Sequence, residues 1–405
     1  MHPGRNLQAY FPFARLNRLL DGIAPGRSPA AGGAPIVLSL GEPQHEPPGF
    51  VAEEIARNAA DWSRYPLGRG TPAYREAAAA WLARRYDLPA AASAPGGMID
   101  PDETIVPLPG SREGLFFATL TTCPDTANGT PPAVLMPNPC YHVYAGAALA
   151  AGAEPVFVPA TAGNGFIPDF GTPGPAVLDR AVLCTLCSPS NPQGAAASLE
   201  QLKALILLAR HHDFVVAFDE CYAEIYMGEP PAGALQAAAA LDGSLDNMLV
   251  FHSLSKRSSA PGLRCAFAAG APSLIERLAG ALNVGGAGVP LPVLAAGTRL
   301  WQDEAHVAET RARYRENFQI AERLLGNRFG FRKPDGGFFL WLDVGDGEAA
   351  ALELWRQGGI KVLPGAYMSV ADDSGRNPGQ AYVRIALVHD AALTETALGR
   401  FCEIL

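Results

Sequence analysis

A lysine that follows directly on a buried strand is costly unless it has a job, and Lys256 is placed in that way. It comes after the apolar run NMLVFHS, with Ser253 and Ser255 before it and Pro261-Gly262 and Arg264 after it. An amine, two hydroxyls and a guanidinium therefore meet within one short loop, a nucleophile beside groups that hold anions. Four other apolar runs end on residues of the same kind. FVVAFDE delivers Asp219, with Tyr222 three residues on; CTLCSPS delivers Asn191-Pro192; AVLMPNP delivers Asn138-Pro139 ahead of Tyr141. After the run near Thr104 comes Gly110-Ser111-Arg112, which opens a helical pattern, and small residues at a helix N-terminus make a phosphate cradle.

The elements that must position these groups follow from the spacing of apolar residues. Short apolar runs bounded by turn residues (PAVLMPNP, EPVFVPA, AVLCTLCSPS, FVVAFDE, NMLVFHS, LRCAFAAG) read mostly as fully buried strands, and helical patterns such as 141–151 and 198–212 lie between them. Alternation of this kind predicts an α/β fold, with a mostly parallel sheet covered by helices on both faces and ligands beyond the carboxyl ends of its strands. A charge-rich pattern over 292–325 reads as one extended helix leaving that unit. GGFFLWLDV, IKVLPG and YVRIALV beyond it read as strands of a smaller α/β domain. The expected division is 1–45 as an N-terminal segment and part of the small domain, 46–290 as the large domain, and 291–405 as the small C-terminal domain. Stretches rich in Pro and Gly near 22–35, 90–97 and 372–379 read as surface loops.

The 405 residues are 48% hydrophobic with a net charge of −9 and no basic run, which leaves no electrostatic footprint for nucleic acid or a membrane surface. Small molecules are the expected partners, and the absence of a leader-like apolar segment points to a cytoplasmic protein. Seven scattered cysteines favour reduced thiols. Cys184 and Cys187 form a CxxC inside an apolar run and read as core packing. His211 and His212 read as surface, and no metal site is expected.

The ordered set SPSNPQG, FDECYAEIY and SLSKRSSAPGLR resembles class I aminotransferases of the aspartate aminotransferase fold, over essentially the whole chain. That resemblance implies pyridoxal 5'-phosphate as cofactor, held by Lys256 as a Schiff base, with the same amine moving the proton at the substrate's α-carbon. It makes Asp219 the partner of the pyridine nitrogen, Tyr222 and Asn191 the partners of the ring's phenolic oxygen, and Tyr141 the aromatic stacked on the ring. It gives the phosphate to Ser111, Arg112, Ser253 and Arg264, with Ser255 a weaker candidate. Arg384 would grip the α-carboxylate of every substrate, Gly41 would lie beside the bound substrate, and Tyr65 would reach the phosphate of a neighbouring subunit in a homodimer with shared sites. At least one of Asn138-Pro139 and Asn191-Pro192 is expected to be cis.

Within the family, LSLGEPQHEPP, GSREGLF, DECYAEIYMGEPP and GRNPGQAYVRIALV are similar to succinyldiaminopimelate transaminases. These would exchange the amino group of N-succinyl-LL-2,6-diaminopimelate with 2-oxoglutarate, in lysine biosynthesis. One departure stands out: 283–292 reads NVGGAGVPLP where an aromatic and a histidine are expected. A different amino-acid specificity, or a pyridoxal lyase on the same fold, would keep Lys256, Asp219 and Arg384. A cofactor-binding module of a transcription regulator would need a DNA-binding segment for which the chain has neither room nor charge.

Overall fold

The computed structural model describes residues 6–7, 9–27 and 33–405. Its centre is a seven-stranded sheet in the order Ile105–Leu108, Ala266–Gly270, Met248–Ser253, Val215–Asp219, Ala181–Cys187, Ala133–Asn138, Glu154–Pro159. Ala266–Gly270 runs antiparallel to both neighbours; the other ladders are parallel. The inner strands are apolar on both faces because helices cover both, so Leu183, Val216, Val250 and Ala268 are all buried in one core with residues such as Trp81 and Phe267. Glu154–Pro159 is the exception among the expected buried strands: it is the sheet's edge, and its side chains are mostly half-exposed.

Local chemistry sets the helix ends. Ser198 accepts from the Gln201 amide and Gln201 returns the bond, a capping box that starts Leu199–His212. The pattern expected as one helix over 292–325 is two, Leu291–Gln302 and Ala305–Leu325. Asp303 divides them: its backbone is extended and its carboxylate accepts from the His306 amide at 3.2 Å, so a side chain satisfies a donor that a continuous helix would have paired internally.

The C-terminal strands are in the expected places. Phe339–Asp343, Tyr382–Ala386 and Leu363–Pro364 form an antiparallel sheet, while Ile360–Lys361 pairs with Ile36–Val37. Val383 and Ile385 pack with Leu340, Phe318 and Phe401 in a second core. A strand alternates faces, so Arg384 between them points the other way. A third, small cluster seats Leu16 and Leu20 of the helix Pro12–Leu20 against Leu363 and Tyr367. Of the Pro/Gly-rich loop expected over 22–35, residues 28–32 lie outside the described residues. Asn138-Pro139 and Asn191-Pro192 are both cis, as is Ser188-Pro189. No helix among the described residues is long and apolar enough to cross a membrane, and no cluster there could hold a metal.

Candidate active site

The strand ends Cys187, Asp219 and Ser253 open on a cavity of about 450 Å³. Of the residues singled out in the sequence, Ser111, Arg112, Tyr141, Asn191, Asp219, Tyr222, Ser253, Ser255, Lys256, Arg264, Gly41 and Arg384 line it. Tyr65 does not: it is 95% exposed and stands outside this chain's own cavity.

Lys256 lies in the short helix Leu254–Arg257 and donates from Nζ to the carbonyl of Gly41. Burial pulls its pKa down to about 8, so the neutral, nucleophilic amine is populated near physiological pH. Gly41 is required by close approach, since a Cβ there would stand 2.6 Å from Cζ of Phe339. At one end of the cavity Ser111 opens the helix Ser111–Thr122, Ser253 Oγ lies 3.0 Å from Ser255 Oγ, and Arg264 reaches in on a left-handed backbone at φ 55°. Arg264 pairs with Glu113 through two contacts of 2.6 and 2.7 Å. Arg112 Nε donates to the Tyr141 hydroxyl at 2.6 Å.

Asp219 also lines the cavity. It is 3% exposed and makes no ion pair among the described residues. It accepts from the Tyr144 hydroxyl at 2.8 Å and the Cys221 amide at 3.4 Å. Burial raises its pKa despite those donors. Arg384 is a buried cation without an anion among the described residues: it is 4% exposed and donates to Asn191 Oδ1 at 2.8 Å and the Ser39 carbonyl at 2.6 Å. Its Nε has no partner, and its guanidinium lies 4.3 Å over the Phe339 ring. Burial brings its pKa down to about 10.

These groups fit pyridoxal phosphate on structural grounds. Among the described residues Asp219 lacks the cation that a protonated ring nitrogen supplies, the hydroxyls and cations near Ser111 suit a phosphate, and Lys256 has no carboxylate partner to neutralise it. Sequence reasoning missed Tyr144, which orients Asp219 from the otherwise apolar helix Val143–Ala151. It also missed Pro12 and Phe13, whose helix reaches the cavity, and His142, Glu42, Met368 and Cys221, which line it. Cys187 lines the cavity as well, while Cys184 is core, and both are free thiols.

A parallel-sheet cavity with a half-buried lysine, a buried carboxylate and an arginine without an ion-pair partner among the described residues defines a pyridoxal-phosphate enzyme of the aspartate aminotransferase fold. Residues 34–404 match the family model of class I and II aminotransferases, and the chain belongs to that family, whose members depend on pyridoxal phosphate. It is 34% identical over 86% of its length to 4-dedimethylamino-4-oxo-anhydrotetracycline transaminase OxyQ of Streptomyces rimosus, covering 88% of that protein. It is 32% identical over 91% to LL-diaminopimelate aminotransferase of Moorella thermoacetica, covering 90% of it. The solved structure of a probable N-succinyldiaminopimelate aminotransferase from Thermus thermophilus superposes with a TM-score of 0.79 at 26% identity, over 92% of this chain and 95% of that one.

Proposed function

We propose that this aminotransferase exchanges an amino group between N-succinyl-LL-2,6-diaminopimelate and 2-oxoglutarate. The observation that carries the amino-acid head of this reading is Arg384, a buried guanidinium that lines the cavity Lys256 enters and has no anionic partner among the described residues. A carboxylate there completes a charge-assisted pair. The diaminopimelate skeleton is supported by the sequence motifs and by the Moorella and Thermus proteins, both named for that substrate class. The Moorella protein also favours a second reading, in which the donor is unacylated LL-diaminopimelate.

When bound, pyridoxal phosphate supplies an electron sink for the charge left at the substrate's α-carbon. Ser111, Arg112, Ser253 and Arg264 hold the phosphate, and Tyr141 covers one face of the ring. Asp219 holds a proton at the ring nitrogen, with Tyr144 fixing the carboxylate from behind. Because Asn191 Oδ1 is taken by Arg384, its Nδ2 is the atom left to donate, with the Tyr222 hydroxyl, to the ring oxygen. Lys256 holds the cofactor and then moves the proton at the α-carbon, a task suited to an amine whose pKa lies near neutrality. Gly41 keeps the backbone open beside the substrate, and Tyr65 serves the phosphate of a second subunit in a cytoplasmic homodimer. The large unit is 46–290, with 1–45 and 291–405 forming the smaller part.

The test is a donor screen with 2-oxoglutarate as acceptor, comparing N-succinyl-LL-2,6-diaminopimelate, LL-diaminopimelate, aspartate and an aromatic amino acid. The succinylated donor should give the highest kcat/KM. If another donor exceeds it by more than about tenfold, near 1.4 kcal/mol, the substrate is a different one.

A further inference from the structure

The charged groups of the cavity explain where a cofactor and an α-carboxylate sit; they leave one wall without a role. That wall joins the helix Pro12–Leu20 to the large sheet and presents Pro12, Phe13, Leu40 and Met368, all apolar, together with one imidazole, His142. The ring of His142 is held edge-on by Phe11 at 5.1 Å and Phe13 at 6.4 Å from the N-terminal segment, and by Tyr141 at 4.8 Å. Aromatic contacts from two parts of the chain give the ring a defined place. Neither ring nitrogen has a hydrogen-bond partner among the described residues, neither is sealed off as an unpaired buried atom, and the residue lines the cavity. Burial first, then the neighbouring Arg112 and Arg384, lowers the pKa of His142 to about 4, so at physiological pH the ring is neutral and carries one N–H donor.

We propose that His142 reads the substrate's side chain, donating a hydrogen bond to a carboxylate or acyl-amide oxygen several bonds beyond the α-carbon. Two guanidiniums near the ring make the surroundings favour an oxygen acceptor over an ammonium group, and the apolar remainder of the wall accommodates the methylenes between. A site built to hydrogen-bond a substrate group rejects substrates lacking it, because its own polar atom is then left unpaired. Thus His142 separates substrates with oxygen-bearing side chains from purely aliphatic ones, a choice that Arg384 cannot make. The inference rests on the aminotransferase reading of the cavity, but not on which diamino acid is the donor.

The holoenzyme, with His142→Phe and His142→Asn, would be assayed in both half-reactions. The oxygen-bearing pair is N-succinyl-LL-2,6-diaminopimelate and 2-oxoglutarate; the aliphatic pair is leucine and 4-methyl-2-oxopentanoate. His142→Phe keeps the aromatic packing and should lower kcat/KM for the oxygen-bearing pair by about tenfold or more while moving the aliphatic pair less than about twofold. His142→Asn, which restores an N–H donor, should recover part of the lost discrimination. Equal losses for both pairs, or none for the oxygen-bearing pair, would overturn the proposal. Should the succinylated donor fail with wild type, the donor assignment falls, and the comparison of the two 2-oxo acids still decides the role of His142.

Discussion

The hydroxyl of Tyr144 donates to Oδ2 of Asp219 at 2.8 Å, and this neutral partner is the strongest contact of a carboxylate buried without a cation. Burial raises the Asp219 pKa above the ordinary carboxylate value of 3.8. A group whose folded pKa is raised binds its proton more tightly in the folded state, so the apoenzyme loses stability as pH rises from 3.8 through the raised value. Asp219→Asn keeps an oxygen for Tyr144 and removes the charge. The cofactor-free variant should therefore melt higher than cofactor-free wild type at pH 7, by roughly 1 to 3 kcal/mol, with a flatter Tm against pH. Transamination should fall at least about a hundredfold, the loss of a group matched to the transition state. Calorimetry of both apo forms decides it: a lower melting temperature for Asp219→Asn contradicts the uncompensated charge.

Lys256 gives the next expectation. Lys256→Ala should abolish transamination while the phosphate end of the cavity, which does not include the lysine's Nζ, still binds cofactor. Since burial holds the amine near a pKa of about 8, cofactor loading onto the wild-type apoenzyme should quicken as pH rises through that value and level off above it. Stopped-flow absorbance with and without borohydride reads both points. A loading rate independent of pH between 6 and 9 would count against a neutral-amine nucleophile.

Much of this site was legible because residues at strand ends have nowhere to go but the cavity: Asp219, Asn191, Ser253 and Lys256 could be placed from apolar runs alone. Arg384 was legible only through the resemblance of YVRIALV to the family, since alternation with Val383 and Ile385 fits a solvent-facing arginine equally well. What sequence could not yield were contacts fixed by tertiary approach. Tyr144 meets Asp219 across 75 positions of chain, and its helix is otherwise apolar. The break at Asp303 was hidden because helical periodicity runs through it, and only the capping contact to His306 reveals the turn. The role of Pro12 and Phe13 depends on where a nine-residue helix docks, which is set by Leu16 and Leu20 against Leu363 and Tyr367.

His306 links that break to the lysine loop. Its Nδ1 lies 2.8 Å from Asp303 Oδ1 and its Nε2 2.8 Å from Ser258 Oγ, two residues beyond Lys256. Burial lowers the His306 pKa from 6.5 despite the pull of Asp303. A depressed histidine resists protonation in the folded state, so the stability it contributes is present above 6.5 and is lost as pH falls below it. His306→Ala should cost about 1 to 3 kcal/mol at pH 7.5, and the cost should shrink toward pH 5. Denaturant melts at the two pH values measure the difference; an equal cost at both would mean the imidazole acts by packing alone.

Arg384 provides the last. It is held by Asn191 and the Ser39 carbonyl with no carboxylate in reach, so an incoming α-carboxylate meets a guanidinium already aimed and already desolvated. Removing one partner of such a pair costs roughly 2 to 5 kcal/mol. Arg384→Ala should therefore weaken every amino acid and 2-oxo acid by a similar factor, leaving the ratio between donors within about threefold of wild type, under 1 kcal/mol. Arg384→Lys should recover little, because an ammonium cannot make the forked contact. Selection among donors then lies in the wall around Phe13 and His142 and in the 283–292 loop, whose NVGGAGVPLP carries no cation for a short dicarboxylate. Aspartate, whose second carboxylate would need such a cation close to Arg384, should be a poor donor for wild type. If Arg384→Ala instead reorders the donors, so that aspartate falls far more than leucine, then Arg384 serves the side-chain carboxylate and the α-carboxylate is held elsewhere.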